Sequence, residues 1–553
     1  MRTGRLALIV FFLALVPRVW GFDWQLPEAL YYDELKYVLW AERTEATDGE
    51  ELDFRNPTLF GRLLGLEYRA LGALGWEDGA RLDGERARRW LSLRLASARL
   101  TVAALGAASV AVLFLAAASL WGVWVAAVAA SLYGLSFLSV HLAHLALNDV
   151  PASFFLAAAL WAAARALARP TAGWLGLSGL AAGLATATKY NFAIALAAPV
   201  VAIAIAFLRA RVLEPVSMSP SPPPFRRKLS GESSGLLSAA AACALAAAAG
   251  LVVGMPEVVA MPQEVAAGIA RQMEIGSQPW NGQEPSPVAV LYFETLVQSG
   301  SLAALALAGA GGVAFARRHQ AAAAVLLAPP GLYLAGMLGK PLFFARFALP
   351  LVPFVCLLAA YGLDALARGL PRAVLRRAVA TALVLAALLP PSVLIGRHNL
   401  LLGQKDTRLL AQEWIQSNLP PEARVAAQTY SVPIRIAGIS RSYDLRLHGF
   451  RSLSEPGSLL RLACDGYRYV LVSSFQYERH LALRPPGGRP TGYELLARDG
   501  RLLQSFAAGR VADSVPFHVD DTAIPFWYLE RERPGPTIKI YELPSASVAC
   551  AGR

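Results

Sequence analysis

The sequence predicts a polytopic α-helical membrane protein with a mixed α/β domain at its C-terminal end. Three features carry that prediction: the composition, the grouping of apolar residues into blocks, and the distribution of positive charge. Of 553 residues, 56% are hydrophobic and 16% charged, against roughly 45–50% and 25% in ordinary soluble domains. Charges this sparse cannot cover the surface of a soluble protein of this length. The apolar residues gather in runs such as LTVAALGAASVAVLFLAAASLWG (100–122) and AAAACALAAAAGLVVG (239–254). Runs of this kind cross a hydrocarbon core of about 30 Å as helices. A soluble enzyme, a disordered chain and a collagen-like rod are excluded.

About 11 transmembrane helices are expected, near 6–22, 96–119, 122–140, 150–167, 173–188, 190–208, 235–254, 290–315, 320–338, 345–366 and 375–395. The first follows a basic start, as a signal peptide does. It lacks a small-residue cleavage site and is read as a retained helix. The formal net charge of +12 comes from 51 Lys and Arg against 39 Asp and Glu. Its placement argues for a membrane topology and against a nucleic-acid partner. With Arg2 and Arg5 in the cytoplasm, the loops expected on that side carry Arg165 and Arg169, then Arg209, Arg211, Arg226, Arg227 and Lys228. Further along they carry Arg317 and Arg318, then Arg368, Arg372, Arg376 and Arg377. The opposite short loops hold chiefly Lys189, Arg271, Lys340 and Arg346. An odd number of spans then puts the C-terminus outside.

On this reading residues 1–395 form the membrane unit, with outer loops at 23–95 and 255–290. The first loop contains the helix-like stretches ELKYVLWAERT and RARRWLSLRLASARL. The second of these is basic and amphipathic and is expected to lie along the membrane surface. SPSPPPFRRKLSGESSG (219–235) reads as a cytoplasmic linker. Residues 396–553 form the extracytoplasmic α/β domain. DTRLLAQEWIQSNL has helical spacing with Asp406 or Thr407 as cap, and ARVAAQTY, YRYVLVSSF and TIKIYEL have strand character. Cys243 and Cys356 lie in apolar spans as small packing residues. Cys464 and Cys550 are able to pair if their domain faces an oxidising compartment.

Polar residues collect at the outer ends of the spans. Asp33 and Glu34 follow the first span in YYDELKYVLWAE, and Asn148 and Asp149 open the fourth in HLAHLALNDVPASF. Lys189 ends the fifth in ATATKYN, and Arg346 opens the tenth in KPLFFARFALP. Any one of these is readily explained as an interfacial charge reaching into headgroups. Two acidic and two basic sites on one face point instead to group transfer from a phosphate-linked lipid. A carboxylate accepts the proton of an attacking hydroxyl, typically for a gain of about 10²–10⁴-fold. Lys and Arg stabilise charge building on a departing phosphate.

These residues resemble the GT-C superfamily of glycosyltransferases, specifically bacterial family 39 enzymes related to protein O-mannosyltransferases and lipid A aminoarabinose transferases. The resemblance rests on YYDEL (31–35), DFRNPTLFGRLL (53–64), HLALNDVPASFFLAAAL (144–160), GLAAGLATATKYNFAIAL (179–196) and FFARFALPLVPFVCLLAAYGLDAL (343–366). DTRLLAQEWIQSNLPPEARV (406–425) is similar to the start of the outer domain of bacterial members, and the match runs over roughly residues 1–430. It implies Asp33 as general base, Glu34 as the second acid of the pair, and Asp149 near the reacting centre. Lys189 and Arg346 become donor-phosphate contacts. Arg55 and Asn56 stand before Pro57, where relatives carry other polar residues, and with Glu294 they are substrate-lining candidates.

The implied donor is a polyprenyl-phosphate-linked sugar, and the acceptor is a hydroxyl of a protein, lipid or polysaccharide. The implied place is the outer face of a bacterial cytoplasmic membrane, among membrane lipids. No cofactor is required by the sequence; some branches of the superfamily use a divalent metal and others do not. His141 and His144 have HxxH spacing, which without further ligands reads as packing. The chain contains no P-loop, no GxGxxG after a strand and no EF-hand loop, which argues against a nucleotide-driven pump. The rival classes are a transporter or lipid flippase, which would place charges at the bilayer midplane, and an inert member whose outer domain binds partners.

Overall fold

The computed structural model describes residues 2–26, 28, 30–43, 54–74, 84–212, 226–279, 283, 286–420, 422–433, 446–450, 453–455, 457–482, 490–510 and 529–543. The Ala- and Leu-rich runs fold as helices, which satisfy every backbone group within the segment and so suit a medium without water. The protein is a multi-pass membrane protein. Among the described residues seven helices are long and apolar enough to cross a bilayer, or eight if one bent pair counts as a span. Helical segments occur at every position where a span was expected, but three of them depart from the expectation in ways that matter.

Helix α1 (Arg2–Val19) leads through a loop to α2 (Tyr32–Arg43) and α3 (Leu59–Ala73), and then to α4 (Gly84–Trp121). The amphipathic stretch 86–100 is not a separate surface helix: it is the first part of α4, a single helix of 38 residues. No Pro interrupts it, and Gly106 in its middle is packed against Arg18 and Val150, so the helix runs on for about 57 Å at 1.5 Å per residue, and Arg94 and Arg99 are buried rather than laid on lipid. Beyond Gly122, whose φ of 87° breaks the helix, the expected span 122–140 divides into α5 (Val123–Gly134) and α6 (Phe137–Leu142). Arg18 fills the break, donating from Nη1 to the Gly134 carbonyl at 3.0 Å and from Nη2 to Ser139 Oγ at 2.9 Å.

Next come α7 (Asp149–Ala168), α8 (Ala172–Thr188), a 3₁₀ turn (Tyr190–Leu196) running into α9 (Ala197–Val212), and α10 (Arg226–Gly254). The first part of the 219–235 linker lies outside the described residues, and its remainder begins α10. Helices α8 and α10 approach backbone to backbone across small residues. A Cβ at Gly179 would sit 2.2 Å from the Cys243 carbonyl oxygen, and one at Gly183 would sit 2.2 Å from that of Ala247. This is how helices associate in lipid, where burying apolar surface against a neighbour brings no gain over lipid tails and close packing must supply it. Gly183→Leu would drive the pair apart. We expect it to cost about 1–3 kcal/mol, read as a lower unfolding midpoint of the detergent-solubilised protein.

After α11 (Glu257–Ala260) and α12 (Pro262–Ile275), the expected span 290–315 is two helices, α13 (Val288–Ser299) and α14 (Leu302–Arg318), bent at 112°. The cause is local: Gly300 ends the first helix, and the Ser301 hydroxyl caps the second by accepting from Ala304 N at 3.0 Å. Helix α15 (Gln320–Met337), a 3₁₀ turn (Ala345–Leu351), α16 (Val352–Arg368) and α17 (Ala373–Leu402) complete the bundle.

A small sheet follows α18 (Thr407–Asn418), whose cap is Asp406, accepting from Arg408 N at 2.9 Å. Strands β1 (Arg424–Gln428), β2 (Arg446–Phe450), β3 (Tyr469–Ser473), β4 (Arg501–Phe506) and β5 (Ile538–Glu542) lie in the order β2-β1-β3-β5-β4. Strand β1 runs parallel to both neighbours, while β5 is antiparallel to β3 and β4. Val425, Ala427, Leu471 and Ile540 face α18 in one core; Ala426, Val470 and Tyr541 face the other side. Cys243 and Cys356 are free and buried, Cys464 is disulfide-bonded, and Cys550 lies outside the described residues.

The sheet is tied to the bundle through the segment after α1. Gln25 donates to the Gln404 carbonyl at 2.6 Å and accepts from Asp406 N at 3.1 Å, while Arg408 donates to the Leu30 carbonyl at 2.9 Å.

Candidate active site

The YYDEL motif opens α2, where Asp33 and Glu34 occupy the first turn and complement the positive end of the helix dipole. Asp33 points to Arg346, which the 3₁₀ turn after α15 presents: Arg346 Nη1 donates to Asp33 Oδ2 at 3.0 Å and to the Tyr31 hydroxyl at 3.2 Å. The guanidinium also rests on the Phe344 ring, 4.9 Å from its centroid. Gln283 holds the approach to this turn by donating to the Pro341 carbonyl at 2.8 Å and accepting from Phe343 N at 2.9 Å.

The second pair is Asp149 and Lys189. Asp149 is the first residue of α7, and Lys189 is the residue at which α8 gives way to the following turn. The ammonium bonds Asp149 Oδ1. Asn148 fixes the same junction by donating to the Thr188 carbonyl at 2.9 Å. Asp33 and Arg346 both lie within electrostatic reach of Lys189, so the two ion pairs form one group of four charges. Their accessibility separates their roles: the Asp33 side chain is 37% exposed and that of Asp149 4%. Asp33 is the more accessible acid, and Asp149 is buried against Lys189.

Four residues expected on the sequence thus come together, and the others do not. Glu34 is turned away from Asp33 and fully buried, with Arg99 Nε and Nη2 on its two oxygens at 2.8 Å each. The structure thus sets the two neighbouring acids apart: one turn of helix sends adjacent side chains to different faces. Asn56 accepts from the Tyr37 hydroxyl at 3.4 Å, and the Tyr190 hydroxyl reaches the neighbouring Phe54 carbonyl at 3.0 Å, which brings this loop beside Lys189. Arg55 is partly buried in that loop. Glu294 is exposed on α13, and among the described residues no contact joins it to the four charges. His141 and His144 are buried and pack with His398, whose Nε2 lies 2.9 Å from His141 Nδ1. Their reading as packing residues fits this burial.

Sequence reasoning missed Tyr31 and Arg99, and took Gln283 only as part of a loop able to cover the lipid or sugar. Tyr31 stood inside the quoted motif; Arg99 has no local signal. Each carboxylate of the group faces a basic side chain. Among the described residues no group of three or more His, Cys, Asp or Glu side chains converges.

Residues 91–218, which span most of α4 and the segments bearing Asp149 and Lys189, match the family model of dolichyl-phosphate-mannose-protein mannosyltransferases. Among solved structures, the apo oligosaccharyltransferase of Archaeoglobus fulgidus aligns with a TM-score of 0.52 at 12% identity, over 98% of this chain and 88% of that one. The oligosaccharyltransferase AglB of the same archaeon, in complex with an inhibitory peptide and a dolichol-phosphate, aligns at 0.50 and 12% over 97% and 88%. ArnT from Cupriavidus metallidurans bound to undecaprenyl phosphate gives 0.48 and 15% over 100% and 98%. No curated protein matches the chain by sequence.

The fold is similar to that of the archaeal oligosaccharyltransferase along nearly the whole chain. The match to the mannosyltransferase family model covers residues 91–218, the part of the chain that bears Asp149 and Lys189.

Proposed function

We propose that the protein transfers a sugar from a polyprenyl-phosphate-linked donor to an acceptor hydroxyl at the outer face of a bacterial cytoplasmic membrane. The observation that carries this reading is the Asp33–Arg346 pair beside Asp149–Lys189, with Asp33 the accessible acid. The family description names a lipid-phosphate sugar donor, and the archaeal neighbour holds a dolichol-phosphate, in keeping with that donor class.

In the proposed step the acceptor oxygen bonds to the anomeric carbon while the bond from that carbon to the phosphate oxygen breaks. The electron pair leaves with the polyprenyl phosphate, and the hydroxyl proton passes to the Asp33 carboxylate. Arg346 and Lys189 stabilise the phosphate as its charge grows. Attack opposite the departing phosphate inverts the anomeric centre. Residues 1–395 are assigned to this transferring unit and 396–553 to an extracytoplasmic domain. The disulfide at Cys464 supports an oxidising surrounding for that domain.

The test is transfer by the purified full chain from a labelled polyprenyl-phosphate sugar to membrane-extract acceptors, with free polyprenyl phosphate measured alongside. Release of lipid phosphate matched by labelled acceptor is the expected result. Movement of the lipid across vesicles without cleavage would make the protein a flippase and overturn the reading.

A further inference from the structure

We propose that the buried Arg99–Glu34 pair is the positioning element of the active site, setting the distance between the Asp33 loop and the Asp149 loop. This rests on the transferase reading above. Neither residue touches the four charged groups. They act through what they hold.

Arg99 projects from α4, and its side chain is completely buried, as is that of Glu34. Its fork is divided between two tasks. Nε and Nη2 each bind one Glu34 oxygen at 2.8 Å. Nη1 binds the Phe22 carbonyl at 3.1 Å and the Trp24 carbonyl at 2.9 Å, and the guanidinium lies over the Trp24 ring at 4.6 Å. One side chain therefore fixes both ends of the segment 22–34 that delivers Asp33. Glu34 then reaches the other loop: its Oε1 accepts from Ala146 N at 2.9 Å. Ala146 stands three residues before Asp149, on the turn that leads into α7. The path Arg99–Glu34–Ala146 spans both acid-bearing segments with no solvent-exposed link.

Charge chemistry explains why these two residue types are used. A planar guanidinium alone presents enough fixed donors for a carboxylate and two carbonyls at once. A carboxylate alone accepts from a guanidinium fork and a backbone N–H together. Lys at 99 keeps the charge and loses the fork. Gln at 34 keeps the shape but turns one acceptor into a donor facing Arg99.

The experiment compares Arg99→Lys and Glu34→Gln in the full-length protein with Asp33→Asn, using three readouts. The first is the rate at saturating donor. A loop displaced by about 1 Å slows transfer by as much as 10²-fold, while the donor concentration for half-maximal rate stays near that of the parent. The second is amide exchange of segments 22–34 and 143–149, which needs no activity and should quicken in both loops together. The third is the fall of rate with acidification, which should persist in Glu34→Gln because that carboxylate is not the base.

Loss of that acid limb in Glu34→Gln would make Glu34 the base and overturn the proposal. So would unchanged exchange in the 143–149 loop with parental kcat. If Glu34→Gln does not assemble, Arg99→Lys and its exchange pattern decide the matter. A normal rate in Asp33→Asn beside slow Arg99→Lys would sink the assignment of the base while leaving the positioning role standing.

Discussion

Asp33→Asn leaves the protein folded and lowers turnover by about 10²-fold or more, the share that a positioned proton acceptor supplies. Asn has nearly the shape of Asp but takes up no proton at neutral pH. The substitution also has a built-in control. Asp33 lies in the first turn of α2, where an acid has a purely structural use in complementing the helix dipole. Loss of that contribution is worth only about 0.3–1 kcal/mol. A helix role alone would therefore appear as a small shift in unfolding midpoint with near-normal turnover. Turnover measured on folded protein, with the unfolding midpoint beside it, separates the two. Near-normal transfer by the purified variant would remove Asp33 from the chemistry.

Arg346→Ala raises the donor concentration needed for half-maximal rate by about tenfold or more, as loss of a charged hydrogen bond worth about 1.5–3 kcal/mol requires. Arg346→Lys falls between that variant and the parent. Lys keeps the charge but cannot present a planar fork to a phosphate. Neither can it reproduce the present arrangement, in which one nitrogen serves both Asp33 and Tyr31. The variants should differ from the parent in donor dependence more than in acceptor dependence. Unchanged donor titrations in both would take Arg346 out of the phosphate site.

Much of this site was legible in the sequence because membrane spans make polar punctuation conspicuous. Asp33, Asp149, Lys189 and Arg346 each stand out against apolar runs, and the loop charges put them on one face. Their pairing was not legible. Asp33 and Arg346 are 313 positions apart, and no local pattern says which acid meets which base. The distinction between Asp33 and Glu34 was equally hidden, because it depends on a partner from α4. That partner, Arg99, resembled one more basic residue of an amphipathic stretch.

The fold showed the same division. Averaged hydropathy located the apolar segments but smoothed over their breaks. The signal for the bend at 300 was present in Gly300 followed by Ser301, a stop and a cap in succession. The continuity of α4 was present too, in the absence of any Pro between Arg86 and Trp121. Both lie in single residues rather than in the average of a window.

The links from Gln25 to Gln404 and Asp406, and from Arg408 to Leu30, bear on modular exchange. They grip the same short segment that carries Asp33, so the C-terminal sheet and the acid share one scaffold. A chimaera that imports a foreign C-terminal domain at residue 396 would cut this scaffold while leaving every charged residue of the site in place. Such grafts succeed only if residues 20–31 travel with the new domain or are matched to it. The first loop and the last sheet are thus held as one piece by these bonds, although almost the whole membrane bundle separates them along the chain.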